Sequence, residues 1–151
     1  GYRRERRIYP HCFVSGTDSI HTKSRWNNIV SLTKFNIADA AKELGVPTAV
    51  PAPIGEPVSH IQSKGWLSNT VAGTKIGLWE CTPGRWVRQV RQAEFCHFLS
   101  GTATFTPESS GEPIPINPGD VIHFPENSAG IWEVTETTRK IFMVYNESNA
   151  G

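Results

Sequence analysis

Apolar and polar positions alternate in short runs through the second half of the chain. The runs are Lys75–Thr82, Arg85–Arg91, Glu94–Leu99, Thr102–Thr106, Pro113–Ile116, Asp120–Phe124, Gly130–Thr135 and Arg139–Tyr145. They are rich in β-branched and aromatic residues. Turn-forming groups separate them: Pro83-Gly84, Ser100-Gly101, Ser109-Ser110-Gly111, Pro118-Gly119 and Pro125-Glu126-Asn127. Period-two alternation bounded by Gly, Pro, Asn and Ser reads as strand, because successive side chains leave a strand on opposite faces. Eight short strands at this spacing predict an all-β jelly roll or barrel.

The pattern before residue 65 is different. Residues 36–45 predict one short helix. Asn36 is the cap, Asp39 stands in the first turn, and Ala38, Ala40, Ala41 and Leu44 favour helix; Gly45 and Pro47 end it. Ser31 to Phe35 is expected to lead in as a short strand. Residues 47–58 hold four prolines, so they must be extended and irregular, an arm lying across a sheet. Residues 1–30 show neither period and are expected to be an extension outside the core. The expected organisation is therefore an extension (1–30), a helix and arm packed on the barrel (31–64), and the barrel itself (65–151).

Size and charge narrow the functional classes. A chain of 151 residues suits one barrel domain with room for a small-molecule pocket. Net charge is +1, but residues 1–30 carry six Lys/Arg against two Asp/Glu, and the rest carry nine against twelve. An acidic body argues against a nucleic-acid-binding domain, and the basic run Arg3-Arg4-Glu5-Arg6-Arg7 reads as a solvated tail. No apolar run is long enough to cross a membrane. The arginine-rich start is followed by no apolar stretch, so no signal peptide is expected. The three cysteines, Cys12, Cys81 and Cys96, form no even framework and read as reduced thiols of a cytoplasmic protein, with Cys96 a small buried hydrophobe.

Two stretches resemble the paired motifs of the cupin superfamily. Glu94-Phe95-Cys96-His97-Phe98-Leu99-Ser100-Gly101 has a glutamate, six residues and a turn glycine. Pro118-Gly119-Asp120-Val121-Ile122-His123-Phe124-Pro125 has the P-G-D-x4-P form of the second motif. More narrowly, Gly77 to Trp86, Glu94-Phe95-Cys96, Gly130 to Val134 and Arg139-Lys140 are similar to the branch of EutQ-like and ureidoglycine-aminohydrolase-like domains, also known as DUF861. The resemblance implies a double-stranded β-helix of the RmlC-like jelly-roll type.

A metal-dependent cupin would supply two histidines and a glutamate from the first motif and a histidine from the second. The matching positions are Arg88 and Val90 (in the other register, Val90 and Gln92), Glu94 and Gly130. Only Glu94 keeps a ligand, and one carboxylate does not hold a transition metal tightly. No cofactor is therefore expected. The alternative is a divalent transition metal on a non-standard set, Glu94 with His123. Strand alternation sends His97 to the face opposite Glu94.

Arg88 stands where a ligand would be. Beside an inward Glu94 it would keep that carboxylate ionised and could clamp an anionic substrate. Trp79, Trp86 and Trp132 lie on strands that line or neighbour the cavity and read as substrate-binding walls. Lys140 either snorkels at the rim or points inward, where a lowered pKa would make it a base or Schiff-base former. The expected function is binding of a small polar or anionic metabolite, with metal-independent hydrolase, isomerase or lyase chemistry on an amide- or sugar-like compound. Glu94 would be the catalytic acid/base, its pKa raised by the apolar cavity. The alternatives are a non-catalytic sensor or assembly module and a metal-dependent enzyme. Open sheet edges and the 47–58 arm lead to the expectation of a homodimer.

Overall fold

A computed structural model describes residues 31–147. The basic run at Arg3–Arg7 and Cys12 lie outside the described residues. The chain divides into two compact units, residues 1–34 and 35–151. Of the first, Ser31–Lys34 are described and form no regular element; the expected lead-in strand is absent. The second unit contains all the elements below.

Helix α1 spans Ile37–Ala41. Asn36 caps it as the sequence predicts, its side chain accepting from the Asp39 N–H at 3.1 Å. The helix stops at Ala41, four residues earlier than expected. Lys42 is its C-cap, and Gly45, expected to close the helix, donates its N–H to Ser63 O at 3.0 Å instead.

The arm holds two short strands, β1 (Thr48–Ala49) and β2 (Pro53–Ile54). There follow β3 (His60–Asn69), β4 (Thr74–Cys81), β5 (Gly84–Val90), β6 (Ala93–Pro107), β7 (Ile114–Ile116), β8 (Val121–Phe124) and β9 (Ser128–Tyr145). All pairings are antiparallel. β9 is central. β6 runs along its whole length on one side, while β4 and β5 share the other edge. The first half of β6 also pairs with β8 and its second half with β7. The two long strands thus pass from one sheet (β1, β3, β4, β8 and half of each) to the other (β2, β5, β7 and the remaining halves). Two sheets sharing long bent strands around one core make a jelly-roll barrel. The arm serves both, pairing β1 with β3 and β2 with β5.

Two predicted strand pairs are single strands. Glu94–Leu99 and Thr102–Thr106 fuse into β6, and Gly130–Thr135 and Arg139–Tyr145 fuse into β9. At Ser100-Gly101 the ladder shifts register instead of turning. Gly101 has φ 87°, and a Cβ there would strike Thr137 O and Thr138, so the bend needs glycine. β3 was not expected from the sequence, because most of its residues are exposed or half-buried and polar and it lacks the apolar alternation of an inner strand.

The core lies between the two inner faces. Trp132 is fully buried. Its ring meets Phe105 at 5.1 Å, Phe98 at 6.0 Å, Phe124 at 6.0 Å and Trp79 at 6.1 Å between centroids. Gly130 sits one inward step earlier. A Cβ there would lie 2.5 Å from Phe105 Cζ and 2.5 Å from Thr106 O. Gly130→Ala is therefore expected to cost about 1–3 kcal/mol by overpacking, measured by urea denaturation. Wild-type stability in that variant would refute this account of the packing.

Candidate functional site

Strand alternation decides the inner face. On β5, Trp86, Arg88 and Val90 turn inward while Arg85, Val87 and Gln89 are exposed. On β6, Glu94, Cys96 and Phe98 are buried while Phe95 and His97 are exposed. On β9, Thr138, Lys140 and Phe142 are buried. Arg88, Glu94 and Lys140 thus converge inside the barrel from three strands.

Their contacts form one cluster. Lys140 Nζ donates to Glu94 Oε1 at 3.0 Å, and Arg88 Nη2 lies 2.8 Å from Glu94 Oε2. The second contact is a charge pair without hydrogen-bond alignment, since Oε2 has no aligned donor among the described residues. Lys140 has no exposed surface. Its ammonium lies 4.3 Å from the centre of the Trp79 ring, a desolvated cation–π contact worth about 2 kcal/mol. Arg88 packs over Phe124 at 5.2 Å and keeps a fifth of its side chain exposed.

A cavity of about 600 Å³ opens onto this cluster. Trp79 and Trp86 form apolar wall, and Pro51 and Ala52 of the arm close one side. Lys75 and Arg91 also line it; sequence reasoning missed both. Around the cavity stand four cationic side chains, Lys75, Arg88, Arg91 and Lys140, against one carboxylate, Glu94.

The charge balance is visible in the protonation of the cluster. Burial pushes the Glu94 carboxyl up, but the neighbouring charges of Lys140 and Arg88 outweigh it and hold the group below its ordinary 4.5. This corrects the expectation of a raised Glu94: the carboxylate is ionised at neutral pH and cannot be a resting general acid. Burial pulls Lys140 below its ordinary 10.5, with Arg88 adding to the effect and Glu94 opposing it. Both shifts favour loss of a proton, as expected where one carboxylate faces two cations. Burial raises the Cys96 thiol to about 11, consistent with an inert buried thiol.

The other expected site residues divide. Trp79 and Trp86 line the cavity, whereas Trp132 packs in the core behind them and is not among the residues lining it. His97 is exposed on the outer face of β6, as alternation predicts. The alternative metal pair, Glu94 with His123, does not form. His123 is exposed, its Nε2 lies 2.9 Å from Glu147 Oε1 and its ring stacks on Tyr145, while Glu94 is inside. Among the described residues, no group of three or more His, Cys, Asp or Glu could hold a metal ion. Lys140 is inside the barrel rather than at its rim. Its spacing from Phe142 and Val144 along β9 carried that signal.

The fold and the inward glutamate define a cupin-type barrel. Residues 71–142 match the family described as the EutQ-like cupin domain, so that segment is a cupin domain of the EutQ-like type. Among solved structures, a protein of unknown function of the DUF861 family from Pseudomonas syringae pv. tomato is similar, at TM-score 0.58 and 22% identity. The match covers 67% of this chain and 43% of that one, so it spans less than half of that protein. The Clostridium difficile EutQ protein matches at TM-score 0.52 and 16% identity, covering 66% of this chain and 80% of that one. An ethanolamine utilization protein Q from Salmonella typhimurium matches at TM-score 0.50 and 15% identity, covering 57% and 69%. Likeness at these identities establishes the fold. No curated protein matches the sequence.

Proposed function

We propose that the barrel binds a small anionic metabolite, a carboxylate or phosphate compound, at the Arg88–Glu94–Lys140 cluster. The observation that carries this reading is the excess of four cations over one carboxylate around a single cavity. Lys75 and Arg91 stand at the exposed mouth, while buried Lys140 and half-buried Arg88 share the single carboxylate of Glu94; that inner surplus of positive charge is costly unless an anion or a lost proton offsets it. Arg88 is the group best able to receive the anion, because it is partly exposed and its contact with Glu94 leaves donors unaligned. Trp79 and Trp86 would hold the apolar part of the ligand. Among the described residues, no helix is long and apolar enough to cross a membrane; we place the protein in the cytoplasm as part of this reading.

Binding is favoured over acid catalysis by Glu94, because both its oxygens face cations and it stays ionised. Thermal denaturation with acetate, pyruvate or inorganic phosphate at constant ionic strength tests the reading. At least one anion should stabilise the fold saturably, by about 2.7 kcal/mol at a hundredfold excess over Kd. Arg88→Ala should weaken that anion by roughly tenfold or more, the value of a charge-assisted hydrogen bond. No stabilisation beyond matched chloride, or an unchanged affinity in Arg88→Ala, would sink it.

A further inference from the structure

We propose that Lys140 is a nucleophile that captures the carbonyl of a small oxo acid as an imine. The proposal deepens the anion-binding reading and rests on it, by naming the ligand class as carboxylates that carry an adjacent aldehyde or ketone.

Three observations carry it. Lys140 is among the residues that line the cavity and its side chain is only 1% exposed, so an imine formed there is protected from hydrolysis. A proton acceptor, Glu94 Oε1, is already hydrogen-bonded to it at 3.0 Å. The guanidinium of Arg88, on the far oxygen of the same carboxylate at 2.8 Å, can hold a ligand carboxylate beside the amine. Arginine cannot deprotonate in a protein. When a cluster of two cations and one carboxylate sheds its extra charge, the proton therefore leaves Lys140. The aromatic faces around Nζ, Trp79 at 4.3 Å, Trp132 at 5.6 Å and Phe124 at 5.7 Å, stabilise the positive charge that a protonated imine restores.

The step balances with no further reactant. Lys140 Nζ–H passes a proton to Glu94, and the freed lone pair attacks the carbonyl carbon. The C–N bond forms as the C=O π electrons move to oxygen, which takes the proton from Glu94. Glu94 then accepts a second proton from the nitrogen and gives it to the hydroxyl. Water leaves as the C=N bond forms. An ammonium and an oxo acid become a protonated imine and water. Glu94 ends ionised and paired to the new cation, and no electrons are gained or lost.

The test is incubation of the full chain with pyruvate and sodium cyanoborohydride, which reduces an imine to a stable amine, followed by intact-mass measurement and peptide mapping. The expected result is one carboxyethyl group per chain, on Lys140, formed roughly tenfold or more faster than on any exposed lysine because the amine and carbonyl are held together. Lys75 is the internal control, since it lines the same cavity but is exposed. Label on Lys75, or spread over the exposed lysines, overturns the proposal. No label although pyruvate stabilises the fold overturns the imine and leaves anion binding standing; neither label nor stabilisation removes both. Lys140→Arg should lose the label, and the wild-type peptide map decides the matter if that variant fails to fold.

Discussion

Glu94→Gln is expected to destabilise the protein by about 3–5 kcal/mol, the cost of breaking a buried ion pair on one side. The amide keeps the shape of the carboxylate but leaves Lys140, with no exposed surface, and Arg88 without a counterion. In urea denaturation the midpoint should fall while the slope stays constant. The loss belongs to the unpaired charge rather than to the missing contact. Glu94→Leu combined with Lys140→Met should therefore recover most of it, because apolar replacement of a buried pair is often neutral or better. Arg88 can turn its partly exposed side chain to water in that double variant. A single variant as stable as the wild type would mean that the cluster does not carry the charges assigned to it. The same physics sets the acid limb. Glu94 lies below its ordinary 4.5 in the folded protein, so the unfolded chain takes up its proton first as pH falls. The stabilisation is fully present above about 4.5 and is lost as pH drops through the folded value. For Lys140, lowered from 10.5 by burial, stability should rise with pH between its folded value and 10.5, because the unfolded chain there binds more protons.

Trp132→Ala is expected to cost about 3–5 kcal/mol, the usual loss for a large aromatic removed from a core. Trp132 is the residue on which the two sheets meet: Phe105 on one half of β6 and Phe98 on the other pack against its ring, and Trp79 reaches it from β4. Its loss opens a void that backbone on two sheets cannot close together. The ring also forms part of the aromatic cage around Lys140 at 5.6 Å, so anion affinity should fall with stability. Trp79→Ala separates the two effects, because Trp79 is only partly buried and stands at the cavity wall. It should weaken anion binding with a smaller loss of stability, read from the same thermal denaturation series.

The strands that face the core were legible because their apolar residues alternate. Trp86, Arg88 and Val90 could be placed inward from period alone, as could Glu94 against His97. What the sequence hid follows from contacts made at a distance. Ser100-Gly101 looks like a turn, yet a glycine at positive φ within a continuous ladder serves as a bend, and only the pairing with β9 distinguishes the two. β3 lacks an apolar face to announce it. Lys140 shares the inward face with Thr138 and Phe142, but a lysine among apolar residues reads equally well as a rim residue until its partner is known. Glu94 supplies that partner from forty-six residues away. For Glu94 the sequence offers two opposed pressures, an apolar cavity that raises the carboxyl and Arg88 that keeps it ionised, and it hides the second cation, Lys140, that settles the balance. Lys75 and Arg91 join the site only because the barrel mouth brings β4 and the end of β5 together.

The most direct test of an anion site inside the barrel is a titration of the indole N–H signals of the five tryptophans by ¹⁵N NMR, with pyruvate added at constant ionic strength and signals assigned by single Trp→Phe variants. The signals of Trp79 and Trp86, which line the cavity, should move saturably with one affinity, and Arg88→Ala should raise the half-saturating concentration by roughly tenfold or more. Shifts that never saturate, or that leave Trp79 and Trp86 unmoved while other signals respond, would contradict the account.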